Sequence, residues 1–348
     1  MSVGYVYHPI YLKHDTGTHV ENARRLEAIM GYLERKGLKD TLKPISPRAA
    51  SQEELELVHD SRYISYIKEV ISRGGGWLDA DTLTSPDSYE AASYAAGGLI
   101  CAVDAVLKGE VRSVFALVRP PGHHATSRRA MGFCLFNNVA IAAKHAIKNY
   151  GLERIAIIDF DVHHGNGTQD TFFSDPRVLY LSTHQAPFYP GTGRVEEVGE
   201  GEGEGATVNI PLPSGCGDEE YLKVFDEVII PAVRRYRPQL ILVSAGYDPH
   251  WADPLAMMQL TTLGFAEIVK VIKNLATELC SGRLIFTLEG GYHLRALAES
   301  VGATLSVLLG KDEIEDSLGK PHQGVRAPDL TLLLKKVKEI HRLATSDS

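Results

Sequence analysis

Cysteine is scarce in this chain. Its four residues among 348 are Cys101, Cys134, Cys216 and Cys280, and no two of them stand at C-x-x-C spacing. That argues against a disulfide scaffold and a cysteine-based metal knuckle, and it fits a reducing compartment. No apolar run reads as long enough to cross a bilayer. The opening stretch, Met1-Ser2-Val3-Gly4-Tyr5-Val6-Tyr7-His8, lacks basic residues followed by an apolar signal core. The expectation is a cytoplasmic protein without a membrane partner. A basic surplus is missing too: 36 Lys plus Arg against 44 Asp plus Glu leave a formal charge of −8. That balance argues against a nucleic-acid partner. It tolerates a cationic substrate, although ordinary solubility is the better account of it. Residues 190–217 are rich in glycine but lack the Gly-Lys-Ser/Thr ending of a phosphate-binding loop. No Gly-x-Ser-x-Gly elbow suggests an acyl-enzyme, and no internal repeat of useful length is found.

Hydrophobic residues make up 44% of the sequence, ample for a full core. Several short, β-branched apolar runs end in small or polar clusters. Ser113-Val114-Phe115-Ala116-Leu117-Val118 leads into Arg119-Pro120-Pro121-Gly122-His123-His124. Arg154-Ile155-Ala156-Ile157-Ile158 leads into Asp159-Phe160-Asp161-Val162-His163-His164-Gly165-Asn166-Gly167. Val178-Leu179-Tyr180-Leu181-Ser182 precedes Thr183-His184, Leu240-Ile241-Leu242-Val243-Ser244 precedes Ala245-Gly246-Tyr247-Asp248, and Leu284-Ile285-Phe286-Thr287-Leu288 precedes Glu289-Gly290-Gly291-Tyr292. Each run reads as a buried parallel strand followed by a functional loop. Helical patterns fill the intervals at 137–148, with Gly151 as its stop, at 218–235, kinked or divided by Pro231, and at 263–279, closed by Gly282. Alternating strands and helices predict one α/β domain over 1–348, a three-layer α/β/α sandwich with a mainly parallel central sheet. Residues 190–217 read as a long surface excursion, its acidic run 198–205 as a solvated turn. From Lys311 a charged tail ends in an amphipathic run over 330–343, expected to pack as a terminal helix.

Ligands of open α/β sheets bind beyond the carboxyl ends of the strands, where these loops lie. Asp159, Asp161 and His163 can share one side if the extended geometry persists past the strand. Carboxylate oxygen with imidazole nitrogen suits zinc or another divalent first-row metal. Asp161, His163 and Asp248 could supply three ligands and leave a position open for water and substrate. For any one of these residues alone, satisfying buried backbone at a strand end is the more ordinary role. Their recurrence after several strands favours a site. His123 and His124 could act as base and acid, with Asp159 and Asn166 available to fix their tautomers. Tyr292, after two glycines, could stabilise an oxyanion, although a tyrosine there is usually a packed ring.

The segments Pro120-Pro121-Gly122-His123-His124, Gly132-Phe133-Cys134-Leu135-Phe136-Asn137-Asn138, 159–169, Ser244-Ala245-Gly246-Tyr247-Asp248 and Glu289-Gly290-Gly291-Tyr292 resemble the histone deacetylase and acetylpolyamine amidohydrolase superfamily. They stand in that family's order, over about 4–309. Asn166 and Glu289 resemble the class II branch and its prokaryotic relatives. The resemblance implies that Asp161, His163 and Asp248 hold Zn2+, with Fe2+ or Co2+ as alternatives. It implies that His124 is the general base and acid, hydrogen-bonded toward Asn166, that His123 pairs with Asp159, and that Tyr292 polarises the acyl carbonyl. Gly132, Phe133 and Tyr189 match positions lining a narrow acyl-lysine tunnel, and Tyr189 stands where the family usually has Phe. Leu255 matches a rim position that carries Glu in a specialised polyamine deacetylase. Structural K+ is implied at Asp159, Asp161, His163, Ser182 and Thr183, and at Phe172, Asp175 and Val178. His19-Val20-Glu21 with Arg25 resembles the N-terminal His-Pro-Glu loop, with Val20 in place of Pro.

The expected activity is metal-dependent hydrolysis of an acetyl or related short acyl amide on acyl-lysine or another small acylated amine. The closest rival is an acetylpolyamine deacetylase. Leu255 speaks mildly against it, and the acidic 198–205 loop could supply the missing charge. An amidohydrolase of another small amide and a silent acyl-lysine-binding module are further readings. The sequence leaves a homo-oligomer open.

Overall fold

The computed structural model describes residues 2–321 and 327–343; parts of the 311–348 tail lie outside them. Among the described residues ten strands follow in chain order: β1 (Val3–Val6), β2 (Lys43–Ile45), β3 (Gly76–Trp77), β4 (Leu83–Thr84), β5 (Ser113–Ala116), β6 (Ile155–Asp159), β7 (Val178–Gln185), β8 (Thr207–Leu212), β9 (Leu240–Ala245) and β10 (Leu284–Leu288). Eight of them form one sheet in the order β2-β1-β5-β10-β9-β6-β7-β8, and every pairing in it is parallel. The central strands are buried along their whole length. This explains their unbroken apolar runs: with helices over the sheet, neither face alternates with water. The helices Ser88–Leu107 and Asn138–Tyr150 pack on each other, as do Arg24–Arg35, Thr262–Cys280 and Leu294–Leu309.

Local signals set the helix ends. Asn137 caps Asn138–Tyr150 by accepting the Ala140 N–H, and Gly151 ends it with a left-handed backbone at φ 65°. Thr261 caps Thr262–Cys280; Ser281 takes the left-handed position and the Gly282 N–H returns to the Ala276 carbonyl at 2.8 Å. The 218–235 segment is divided by a π-helical turn, Phe225–Ile229, immediately before the helix that carries Pro231 near its start.

Three readings change. Residues 190–217 are more than a surface excursion, because β8 lies within them and closes one edge of the sheet beside β7. Glycine and acid residues precede this strand so closely that its short apolar run is hidden. The helix Ser88–Leu107 is long and apolar enough to cross a bilayer by composition, against the expectation that no such run exists. Ala, Gly and Ser on several faces let it pack against β1, β5 and β10, and 72% of its apolar window is buried in the fold. A two-stranded antiparallel hairpin, β3 with β4, was not foreseen. In the tail, the helix Thr331–Ile340 buries Leu334 and Val337 and packs near β8 and the π-helical turn.

Candidate active site

Register places the chemistry at one end of the sheet. Asp159 is the last residue of β6 and is paired with Ser182 on β7 and Ser244 on β9. The strand ends there, so the extended alternation does not continue through Asp161 and His163. Asp161, His163 and the distant Asp248 converge instead, with candidate ligand atoms all within 4.8 Å of one another. Asp159 turns away, its Oδ2 lying 3.0 Å from His123 Nδ1 and accepting the Tyr180 hydroxyl at 3.1 Å.

Close backbone approach permits this convergence. The Val162 N–H donates to Asp248 Oδ1 at 3.0 Å, and the Gly290 N–H donates to Asp161 Oδ2 at 2.8 Å. A Cβ on Gly290 would lie 2.1 Å from Asp248 Oδ2, so only glycine fits. His163 Nδ1 stands 3.1 Å from Asp161 Oδ1 and 3.2 Å from Asp248 Oδ2. Burial and the Asp161 charge push the Asp248 carboxyl up to about 7. Burial also acts against the Asp161 charge, but His123 and His163 outweigh it and hold that carboxyl below its usual range. Asp248 Oδ2 is buried and meets no donor in hydrogen-bond geometry among the described residues, because His163 Nδ1 is aligned on Asp161 Oδ1 instead. A buried acceptor of this kind is costly unless something positive meets it. Two carboxylates and an imidazole around an unsatisfied oxygen are the donor set a divalent cation requires.

Adjacent histidines have opposite electrostatics. Burial works against charge on His123, but Asp159 and Asp161 overcome it and hold the imidazolium up to about 10. Burial, with His123 and His163 nearby, drives His124 well below its ordinary value. His124 is therefore the neutral partner, able to accept a proton. Its Nδ1 lies 2.9 Å from Asn166 Oδ1, which fixes the proton on that nitrogen, because a carbonyl oxygen only accepts. Nε2 is left for chemistry. Gly132 (φ 56°) packs so tightly against this ring that a Cβ would come within 2.2 Å of it.

A tunnel of about 240 Å³ opens above these groups, lined by His123, His124, His163, Gly132, Phe133, Tyr189, Leu255 and Tyr292. Tyr189 meets His124 edge-on at 5.2 Å, and Phe133 meets Tyr292 edge-on at 5.8 Å. Asp253 accepts the Tyr292 N–H at 2.6 Å and the Leu255 N–H at 3.0 Å, tying the Tyr292 backbone to the rim.

One acidic residue of the tunnel wall was not read from the sequence. Asp81, carried by the β3–β4 hairpin, lines the tunnel and puts a carboxylate at its wall. Two-residue strands leave no periodicity to detect. The acidic 198–205 loop does not play this part: it borders a separate depression with Arg235 and His341. Beneath the site, Glu21 is wholly buried between Arg25 and Arg119. Arg25 donates to the carbonyls of Gly291 and Glu289 at 2.7 and 2.5 Å and stands 5.0 Å from the Tyr292 ring centre. The buried Glu289 side chain, pushed up to about 7 by burial, accepts the Gly122 N–H at 2.7 Å and the Ser244 hydroxyl at 3.1 Å. Ser182 and Thr183 lie on β7 beside Asp159, and Thr183 Oγ1 is buried with no partner among the described residues. Phe172, Asp175 and Val178 form a turn in which the Phe172 and Asp175 carbonyls accept the next N–H groups at 3.0 and 3.3 Å.

A family model described as the histone deacetylase domain matches residues 19–308. The chain is 43% identical over 331 residues to "Histone deacetylase 14, chloroplastic" of Arabidopsis thaliana, covering 89% of this chain and 77% of that protein. It is 42% identical over 309 residues to "Polyamine deacetylase HDAC10" of Homo sapiens, covering 85% of this chain but 45% of that one. The crystal structure of the HDA15 HD domain superposes with a TM-score of 0.87 at 35% identity, covering 98% of this chain and 95% of that one.

Proposed function

Since this chain belongs to the histone deacetylase family, whose members hydrolyse amide bonds, we propose that it removes acetyl or similarly short acyl groups from the side-chain amine of acyl-lysine or from a small acylated amine. The observation that carries this reading is the buried Asp161–His163–Asp248 trio sharing one narrow tunnel with a neutral His124 and Tyr292.

Asp161, His163 and Asp248 would hold Zn2+, or Fe2+ or Co2+ in its place. When bound, the cation supplies Lewis acidity to the acyl oxygen and acidifies water. The protein's own groups do the rest. The tunnel wall of Phe133 and Tyr189 orients the acyl arm and excludes bulk water. His124 Nε2 takes the proton of the attacking water, while Asn166 keeps the ring aligned through Nδ1. The Tyr292 hydroxyl donates to the acyl oxygen as negative charge grows there. His124 then hands its proton to the departing amine, and His123, kept charged by Asp159, steadies the negative charge nearby. K+ is proposed at the loop of Asp159, Asp161, His163, Ser182 and Thr183, and at the Phe172, Asp175 and Val178 turn. The unpartnered Thr183 hydroxyl supports the first assignment, and the second lone pair of each turn carbonyl supports the other.

One observation favours a polyamine-directed variant of the same reaction. The Asp81 carboxylate on the tunnel wall could pair with a distal ammonium, even though Leu255 is neutral. Acetate release measured in parallel on an acetyl-lysine peptide and on N-acetylated polyamines tests both readings. Activity on the peptide alone selects the lysine reading, activity on the polyamine alone selects the variant, and activity on neither refutes the proposal.

A further inference from the structure

The opposite end of the sheet carries a charge pattern that the catalytic reading does not use. Parallel strands begin together there, and arginine stands immediately before four of the five central ones: Arg112 before β5, Arg283 before β10, Arg154 before β6 and Arg177 before β7. β9 begins at Leu240, three residues after Arg237, which stands at the same edge. Register confirms the alignment. The Leu284 N–H donates to the Arg112 carbonyl, the Ile241 N–H to that of Arg283, the Gln239 N–H to that of Arg154 and the Ile155 N–H to that of Arg177. Five neighbouring strands at about 4.8 Å spacing give a basic row roughly 19 Å long.

Four of these guanidinium groups have no carboxylate. Arg177 is bound to Asp175, but among the described residues Arg112, Arg154, Arg237 and Arg283 form no ion pair, and all four are exposed. Arg154 spends one donor on the Arg237 carbonyl, at 3.0 Å, where the helix Ile230–Tyr236 ends. Its other N–H groups remain, since a guanidinium carries five. Three of the arginines, Arg154, Arg237 and Arg283, line a cleft of about 470 Å³ whose wall also offers Gln239 and Ser281 and includes no acidic residue. That volume suits a small molecule.

We propose that this cleft binds a compact oligophosphate: a small molecule carrying two or more linked phosphate groups, free or attached to a nucleoside. Planar guanidinium forks match phosphate oxygens in pairs, and three unpaired forks around one cleft call for several negative charges at short spacing. A long polyanion fits poorly, because beyond the row it would meet a protein of net charge −8. The cleft lies about 17 Å from the catalytic end along the five residues of β6, about two Debye lengths at physiological ionic strength. Occupancy and catalysis are thus separable.

The test is calorimetric titration of the metal-loaded protein with inorganic tripolyphosphate and, separately, with a nucleoside triphosphate, against wild type and the Arg154→Ala/Arg237→Ala/Arg283→Ala variant. Wild type should bind one equivalent, with affinity falling steeply as salt rises. The tighter of the two probes identifies the source of the phosphates. Arg283→Gln alone should weaken binding about tenfold, and the triple variant should show none while keeping wild-type deacetylase activity. Equal heat from wild type and triple variant would mean that the probes act elsewhere, on the catalytic cation for instance, and would overturn the proposal. So would absence of binding in wild type, or tighter binding of an oligoglutamate peptide or a single-stranded oligonucleotide. If the triple variant proves unstable, the Arg283→Gln titration decides alone.

Discussion

Replacing Gly290 by alanine tests the metal-site geometry without touching a ligand. The added Cβ would stand 2.1 Å from Asp248 Oδ2 and 2.7 Å from Asp161 Oδ2. Ordinary carbon–oxygen contact needs over 3 Å, so one or both carboxylates must retreat by roughly 1 Å, or the backbone must carry the new methyl away. Backbone movement would stretch the Gly290 N–H bond to Asp161, now 2.8 Å. Metal sites tolerate deviations of about 0.2 Å, and a misplacement of about 1 Å near reacting groups costs on the order of 100-fold in rate. Overpacking alone should cost about 1–3 kcal/mol of stability. Gly290→Ala should therefore lose at least about 100-fold in kcat/KM and bind zinc markedly more weakly in competition with a chromophoric chelator. Gly31→Ala is the control: in the helix Arg24–Arg35 its Cβ meets only the mobile end of Arg35, at 3.3 Å. It should leave activity unchanged and gain up to about 1 kcal/mol in urea unfolding. A Gly290→Ala protein with native zinc affinity and native kcat/KM would refute the reasoning.

Tyr292→Phe should lower kcat by about 10²–10³-fold with zinc affinity intact; parallel kinetics and metal titration check it, and near-native kcat would remove the phenol from the mechanism. Asp81→Asn should raise KM for N-acetylated polyamines several-fold while leaving kcat on them little changed, measured by acetate release. Acid should destabilise the fold through buried histidines. His59 is pushed down to about 4 by burial, its Nδ1 2.9 Å from the Thr126 carbonyl and its Nε2 accepting the Asn137 N–H at 2.9 Å. An unfolded His binds its proton near 6.5, so between pH 6.5 and 4 the unfolded chain holds more protons. The stabilisation is full above that window, and about 3 kcal/mol is lost on descending through it. Urea midpoints at pH 7.5 and 4.5 measure the loss, and His59→Gln should reduce the difference.

The central strands were readable because burial on both faces favours the short, mainly apolar runs seen at Ile155–Asp159 and Leu284–Leu288. The polar residues that follow them fall at the ligand-binding end by topology alone. Spacing could not separate the roles of the three residues Asp159, Asp161 and His163, since that depends on where β6 stops and on Asp248 arriving from 86 residues away. Nor could it separate His123 from His124: only their partners, a carboxylate for one and an amide oxygen for the other, divide charge from neutrality. Asp81 escaped notice because a hairpin of two-residue strands has no period. The helix Ser88–Leu107 was passed over because its Ala, Gly and Ser residues, which let it pack on several faces, break up any run of large apolar side chains.

Zinc titration of the demetallated protein, followed by acetate release from an acyl amine substrate, addresses the central claim directly. The account expects activity to start near zero, rise linearly and stop rising at one equivalent, with Asp248→Asn showing no rise at all. Full activity before any zinc is added, or a break at two equivalents, would contradict it.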